Sequence, residues 1–284
     1  MTEPDDEPEL RWSQLNPERW LGLRGGRYTA VNHLLAMVAG LALTLLFYGV
    51  LSVAPRSLLA QMFLERGPTP YVIVFMSNAS LVILAIKWRK LAVQRRALEH
   101  SVVPSQPDFV LSAATVDQVV QRIYSIADDP TQFLLYDRIL VALANLRNLG
   151  RVADVDDILR SQAEHQEASI ETSYAVVHGF VWAIPVLGFI GTVLGLSEAI
   201  GGFGAVLGSA NDLSQITDAI RGVTGGLRTA FDTTLEALVA ALFIQLAVTF
   251  LKKSEQEHLD ACAQYCMRNI VNRLRVMPFE AGGE

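Results

Sequence analysis

The sequence predicts an all-α, polytopic membrane protein with four transmembrane helices, the last two extended into a helical cytoplasmic domain. Three observations carry this. The 284 residues are 51% hydrophobic and only 18% charged, with a mean hydropathy of +0.31, and soluble chains of this length carry more charge. The apolar residues are bunched into runs long enough to cross about 30 Å of hydrocarbon. The segments between the runs repeat apolar residues every three or four positions, with no alternating strand pattern.

The first run, residues 31–54 ("VNHLLAMVAGLALTLLFYGVLSVA"), is too long for the apolar core of a cleaved leader, and a charged, tryptophan-containing segment precedes it. The second span, residues 71–88, is shorter; its apolar run ends at Ile86 and contains Asn78. The third runs from Val176 to about Gly204 and the fourth from about Gly225 to Leu251. Residues 176–251 thus form a unit of two spans. Residues 1–30 precede the first span, and their acidic start, "MTEPDDEPE", reads as disordered. Residues 89–175 form a helical domain, with Thr115 or Ser112 as candidate N-cap of its first helix and Gly150 as C-cap of its second. No breaker separates that domain from the third span, so one continuous helix is expected there. The tail, 252–284, reads as a continuation of span four.

Arginine and lysine near the span ends set the orientation, because cytoplasmic flanks retain positive charge. Arg11, Arg19, Arg24 and Arg27 precede the first span; Lys87, Arg89, Lys90, Arg95 and Arg96 follow the second; Lys252 and Lys253 open the tail. The loop between spans one and two holds Arg56 and Arg66, and the stretch before span four holds Arg221. Both termini and the 89–175 domain are therefore expected in the cytoplasm, with the loop around Ser209–Ile220 outside. Cys262 and Cys266 lie one turn apart in the tail and read as reduced thiols.

Chemistry is concentrated in spans three and four. "GFIGTVLGL" places Gly188, Gly191 and Gly195 along one side of span three, with Pro185 before them, Thr192 among them and Glu198 beyond. Helices in lipid associate through close backbone approach, which small residues permit, so another helix is expected against this side. In "TAFDTTLEALVAALFIQL", Ala230, Thr234, Ala237 and Ala241 fall within about 60° on a helical wheel. Arg228, Asp232 and Glu236 occupy the opposite side. A charge at mid-membrane costs about 2.5–3.5 kcal/mol on insertion scales and seeks a partner. Arg228 and Asp232 are spaced for an i,i+4 pair, which leaves Glu236 to find its partner on a neighbouring helix or subunit.

"IPVLGFIGTVLGL" followed by "GLRTAFDTTLEALVAAL" resembles the MotA/TolQ/ExbB proton-channel family over about residues 176–251. The resemblance implies five copies of this chain in a ring around two copies of a single-span ExbD/TolR/MotB-like partner, whose membrane aspartate carries the proton. It implies an inner-membrane location and a stator role that converts proton motive force into mechanical work. It places the pore threonines at Thr192 and Thr234, with Thr233 beside the latter. Two features depart from the three-span members: the acidic residue they carry before the span-four threonine would fall near Thr229, and there is an additional N-terminal span.

Threonine does not titrate near neutral pH, so the hydroxyl face requires a partner acid. An enzyme is not expected. The five histidines are scattered, and HExxH, GxSxG and a phosphate-binding loop with its lysine are all missing; "GGFGAVLG" reads as a loop. A secondary transporter calls for more spans and an internal repeat. No cofactor is expected; protons are the default ion and sodium stays open. A non-conducting membrane scaffold is the alternative reading.

Overall fold

The computed structural model describes residues 10–15, 18, 25–104, 109–112, 114–149, 152–207 and 213–274. Gly150, the acidic residues 1–9 and the outer-loop residues 208–212 lie outside them. Among the described residues nine α-helices follow one another: α1 (Trp12–Leu15), α2 (His33–Val53), α3 (Leu58–Leu64), α4 (Thr69–Arg96), α5 (Val116–Ile126), α6 (Leu134–Leu149), α7 (Val152–Thr172), α8 (Ala175–Leu207) and α9 (Leu213–Asn269). Among the described residues no strand forms; two isolated bridges join Leu10 to Ala127 and Leu111 to Leu274. Four helical stretches, based on α2, α4, α7–α8 and α9, are long and apolar enough to cross a membrane.

The chain divides into two compact units. The membrane unit comprises His33–Ala85 and Tyr174–Phe250. In it, α2 meets α4 where Gly40 faces Ala79, and a Cβ on Gly40 would lie 2.7 Å from the Ala79 Cα. Asn78, the one amide in the second span, donates to the Thr44 hydroxyl at 3.1 Å, and Thr44 donates to the Gly40 carbonyl. The polar residue is thus satisfied inside the helix pair, as hydrocarbon demands. Ser57 caps α3 by accepting from the Ala60 N–H.

The extramembrane unit comprises Met1–Asn32, Ile86–Ser173 and Leu251–Glu284. Its apolar core gathers the inner faces of α5 and α6, with Phe133, Tyr136 and Ile139, and includes Cys262 and Cys266. Both cysteines are free, and burial pushes the Cys262 thiol up to about 12. Two lysines that the sequence offers as flank charges are fully buried. Lys90 pairs with Glu18 and donates to the Ala30 carbonyl at 2.6 Å. Lys87 pairs with Glu255 at 3.2 Å and donates to Ser173 at 2.8 Å. Burial lowers the affinity of Lys90 for its proton, and the Glu18 carboxylate counteracts it.

Four expectations are corrected. The helix leading into span three is broken: Ser173 and Tyr174 form a turn between α7 and α8, although no glycine or proline marks it. Neither Ser112 nor Thr115 caps α5 with its side chain; Thr115 occupies the cap position, but its hydroxyl donates backwards to the Val110 carbonyl. "GGFGAVL" continues α8 to Leu207 instead of forming a loop. Leu213–Ile220, placed in the outer loop, already belongs to α9.

Candidate functional site

The site is the seam between α8 and α9. Four glycines set its spacing. A Cβ on Gly188 would lie 2.5 Å from the Ala237 Cβ, one on Gly191 2.5 Å from the Thr233 Oγ1, and one on Gly195 2.6 Å from the Gly226 carbonyl oxygen. Gly226 answers in kind, since its Cβ would lie 2.5 Å from the Gly195 carbonyl oxygen. Contacts below 3.0 Å are closer than any side chain tolerates, so the two backbones approach as only glycine permits. Ala230, Ala237 and Ala241 are buried along the α9 side of the unit, and Pro185 lies within α8, which continues through it.

This approach brings the two threonines together. Thr192 Oγ1 lies 2.5 Å from Thr234 Oγ1. Thr192 is also placed to donate to the Gly188 carbonyl at 3.1 Å; Thr234 is placed to donate to the same carbonyl at 3.2 Å and to the Ala230 carbonyl at 3.0 Å. Two hydroxyls own two protons. If one donates to the other, the second donates to a carbonyl, and the order can reverse. Every donor is then consumed internally, while lone pairs stay open on a half-buried pair. The pair can accept a hydrogen bond from outside without breaking its own.

The remaining sequence candidates separate by position. Thr233 is fully buried against Gly191, its hydroxyl donating to the Thr229 carbonyl at 3.0 Å; it belongs to the packing seam. Glu198 is exposed on α8. Arg228 and Asp232 form the expected i,i+4 pair, Nε to Oδ2 3.6 Å. Asp232 has a shorter partner in Arg66, whose Nε is 3.0 Å away. Glu236 is buried.

Residues 134–263 match the model of the MotA/TolQ/ExbB proton channel family. That segment, just under half of the chain, is similar to the MotA/TolQ/ExbB proton channel family. The match begins at α6, well upstream of the motifs that carry the resemblance, and ends within α9. Comparison with curated proteins and with solved structures gave no match. The match to a proton-channel family and the four helical stretches long and apolar enough to cross a membrane point the same way, to a multi-pass membrane protein.

Two site residues escape a reading of the motifs. Gly226 continues the α9 stripe one turn before Ala230, and its four-residue spacing, about 40° on the helical wheel, was the available signal. Arg66 lies 166 residues from Asp232, and no local spacing announces that pair.

Proposed function

We propose that this chain is the proton-conducting stator subunit of an ion-driven motor in the bacterial inner membrane. Five copies surround a dimer of a single-span ExbD/TolR/MotB-like protein and convert proton motive force into mechanical work such as biopolymer transport or envelope energisation. The termini and the extramembrane unit face the cytoplasm, in line with the Lys/Arg flanks. The chain supplies no catalytic group and no cofactor; the transported ion is the proton.

The observation that carries this reading is the Thr192–Thr234 pair. Its protons are committed to each other and to the Gly188 and Ala230 carbonyls, so it presents acceptors. A protonated carboxyl on a partner helix has an O–H to donate to such a pair, whereas the ionised carboxylate offers only lone pairs. The pair therefore favours the neutral, proton-loaded form of a partner acid opposite it. Proton loading stabilises one register of the partner and proton release weakens it, and this difference is what a motor requires. Each proton moved down ~100 mV releases about 2.3 kcal/mol, so several steps drive one substantial movement.

The test is Thr192→Val/Thr234→Val, which keeps shape and removes both hydroxyls. In vesicles holding the chain with its single-span partner, the double variant is expected to retain the assembled mass while proton flux falls to the partner-free background. Unchanged flux would contradict the proposal. A wild-type assembly that conducts no proton would favour the scaffold reading instead.

A further inference from the structure

On the far side of α9 from the threonines, the membrane unit encloses a second polar cluster. Glu236 stands about 160° around the helix from Thr234. It is 6% exposed, and neither carboxyl oxygen has a hydrogen-bond partner among the described residues. The cation whose charge reaches it is engaged elsewhere: Arg66, from the turn between α3 and α4, directs its Nε to Asp232 at 3.0 Å. Gly67, with φ +81°, follows it and lets that turn fold back. From α2, Tyr48 interacts electrostatically with Glu236, and its hydroxyl is also buried with no hydrogen-bond partner among the described residues. Its ring stacks on Tyr71 of α4 at 4.3 Å. The charged and titratable groups that interact with Glu236 are thus Tyr48 from α2, whose ring stacks on Tyr71 from α4, Arg66 from the turn, and Asp232 from its own helix.

An ionised carboxylate enclosed without a donor is far costlier than the neutral acid, and such a group keeps its proton. The cluster nevertheless holds what an ionised Glu236 would need, because Arg66 has further N–H donors beyond the one bonded to Asp232. We propose that Glu236 is a second proton-binding site, internal to each protomer and separate from the threonine pair. It holds a proton at neutral pH; when the carboxyl O–H breaks and the proton passes to water, the carboxylate competes with Asp232 for the Arg66 guanidinium. Proton release is thereby linked to the α3–α4 turn that carries Arg66. The site is complete in one protomer and needs neither ring nor partner, so it stands or falls apart from the function proposed above.

The test is infrared difference spectroscopy of the full chain in phosphatidylcholine vesicles, without partner, at about pH 7, where ordinary carboxyls near 4.3 are ionised. Wild type minus Glu236→Gln is expected to show the C=O stretch of a protonated carboxyl, shifted in D2O. A difference spectrum with carboxylate bands in its place would overturn the proposal. Should Glu236→Gln fail to insert, Glu236→Asp serves. It is expected to shift the protonated-carboxyl band relative to wild type, and a band unchanged by that substitution would overturn the assignment.

Discussion

Thr192 and Thr234 are ordinary residues made unusual by what the glycines allow. Each is placed to donate to a carbonyl one turn back, as a threonine in any tight helix is; the 2.5 Å contact between them means that one of the two donates to its neighbour instead. A double-mutant cycle with Thr192→Val and Thr234→Val, read by thermal unfolding in detergent, is expected to return a coupling of about 0.5–1.5 kcal/mol. Additive losses would mean that the two hydroxyls do not bond. A second prediction concerns His258, which is 2% exposed and faces Arg95, Arg138 and Cys262. Burial first, then the two arginines, pushes it down to about 4 from 6.5. The folded state therefore binds this proton less well than the unfolded chain, so stability is intact above about pH 6.5 and falls as pH drops toward 4. The loss is on the order of 3 kcal/mol. Limited proteolysis of the extramembrane unit across this window is expected to accelerate with acid in wild type and to respond less in His258→Gln. Equal pH responses would contradict it.

At the scale of the element, α8 and α9 are two long apolar helices whose meeting is decided by glycine. Gly191→Ala puts a Cβ 2.5 Å from the Thr233 hydroxyl oxygen, and Gly195→Ala puts one 2.6 Å from a backbone carbonyl. Each is expected to destabilise the membrane unit by about 1–3 kcal/mol. Gly179 and Gly201, on the same helix, have nothing within 4 Å of a built Cβ. Alanine there is expected to leave stability unchanged or raise it by about 0.5–1 kcal/mol. Thermal shifts of the four variants check this, and a uniform response would contradict it. The contrast shows what local sequence reveals. Spacing by three and four residues identified Gly188, Gly191 and Gly195, because periodicity is a property of one helix. It gave no sign of the Ser173–Tyr174 turn, which no breaker residue marks. The buried Lys87–Glu255 and Lys90–Glu18 pairs were equally invisible, since their partners come from distant segments. Breaking such a pair leaves an uncompensated buried charge; Glu18→Gln is expected to destabilise the extramembrane unit by about 3–5 kcal/mol. Chemical denaturation of the full chain measures that, and a loss under 1 kcal/mol would show that Lys90 is held by its carbonyls alone.

At the scale of the whole molecule, the membrane unit exposes large apolar side chains along both motif helices, among them Phe189, Val193 and Ile200 on α8 and Phe231, Leu238 and Leu242 on α9. Lipid or neighbouring copies must cover such faces, because neither has a counterpart in water. The single chain carries a hydroxyl pair that accepts and a match to a proton-channel family, but its proposed work needs an acid supplied from outside. Assembly with a partner is therefore the claim on which the account depends. Native mass spectrometry of the detergent-purified chain, alone and co-expressed with any single-span protein encoded beside it, measures this directly. The account predicts a pentamer that takes up two partner copies. A monomer, dimer or tetramer that ignores the partner would contradict it.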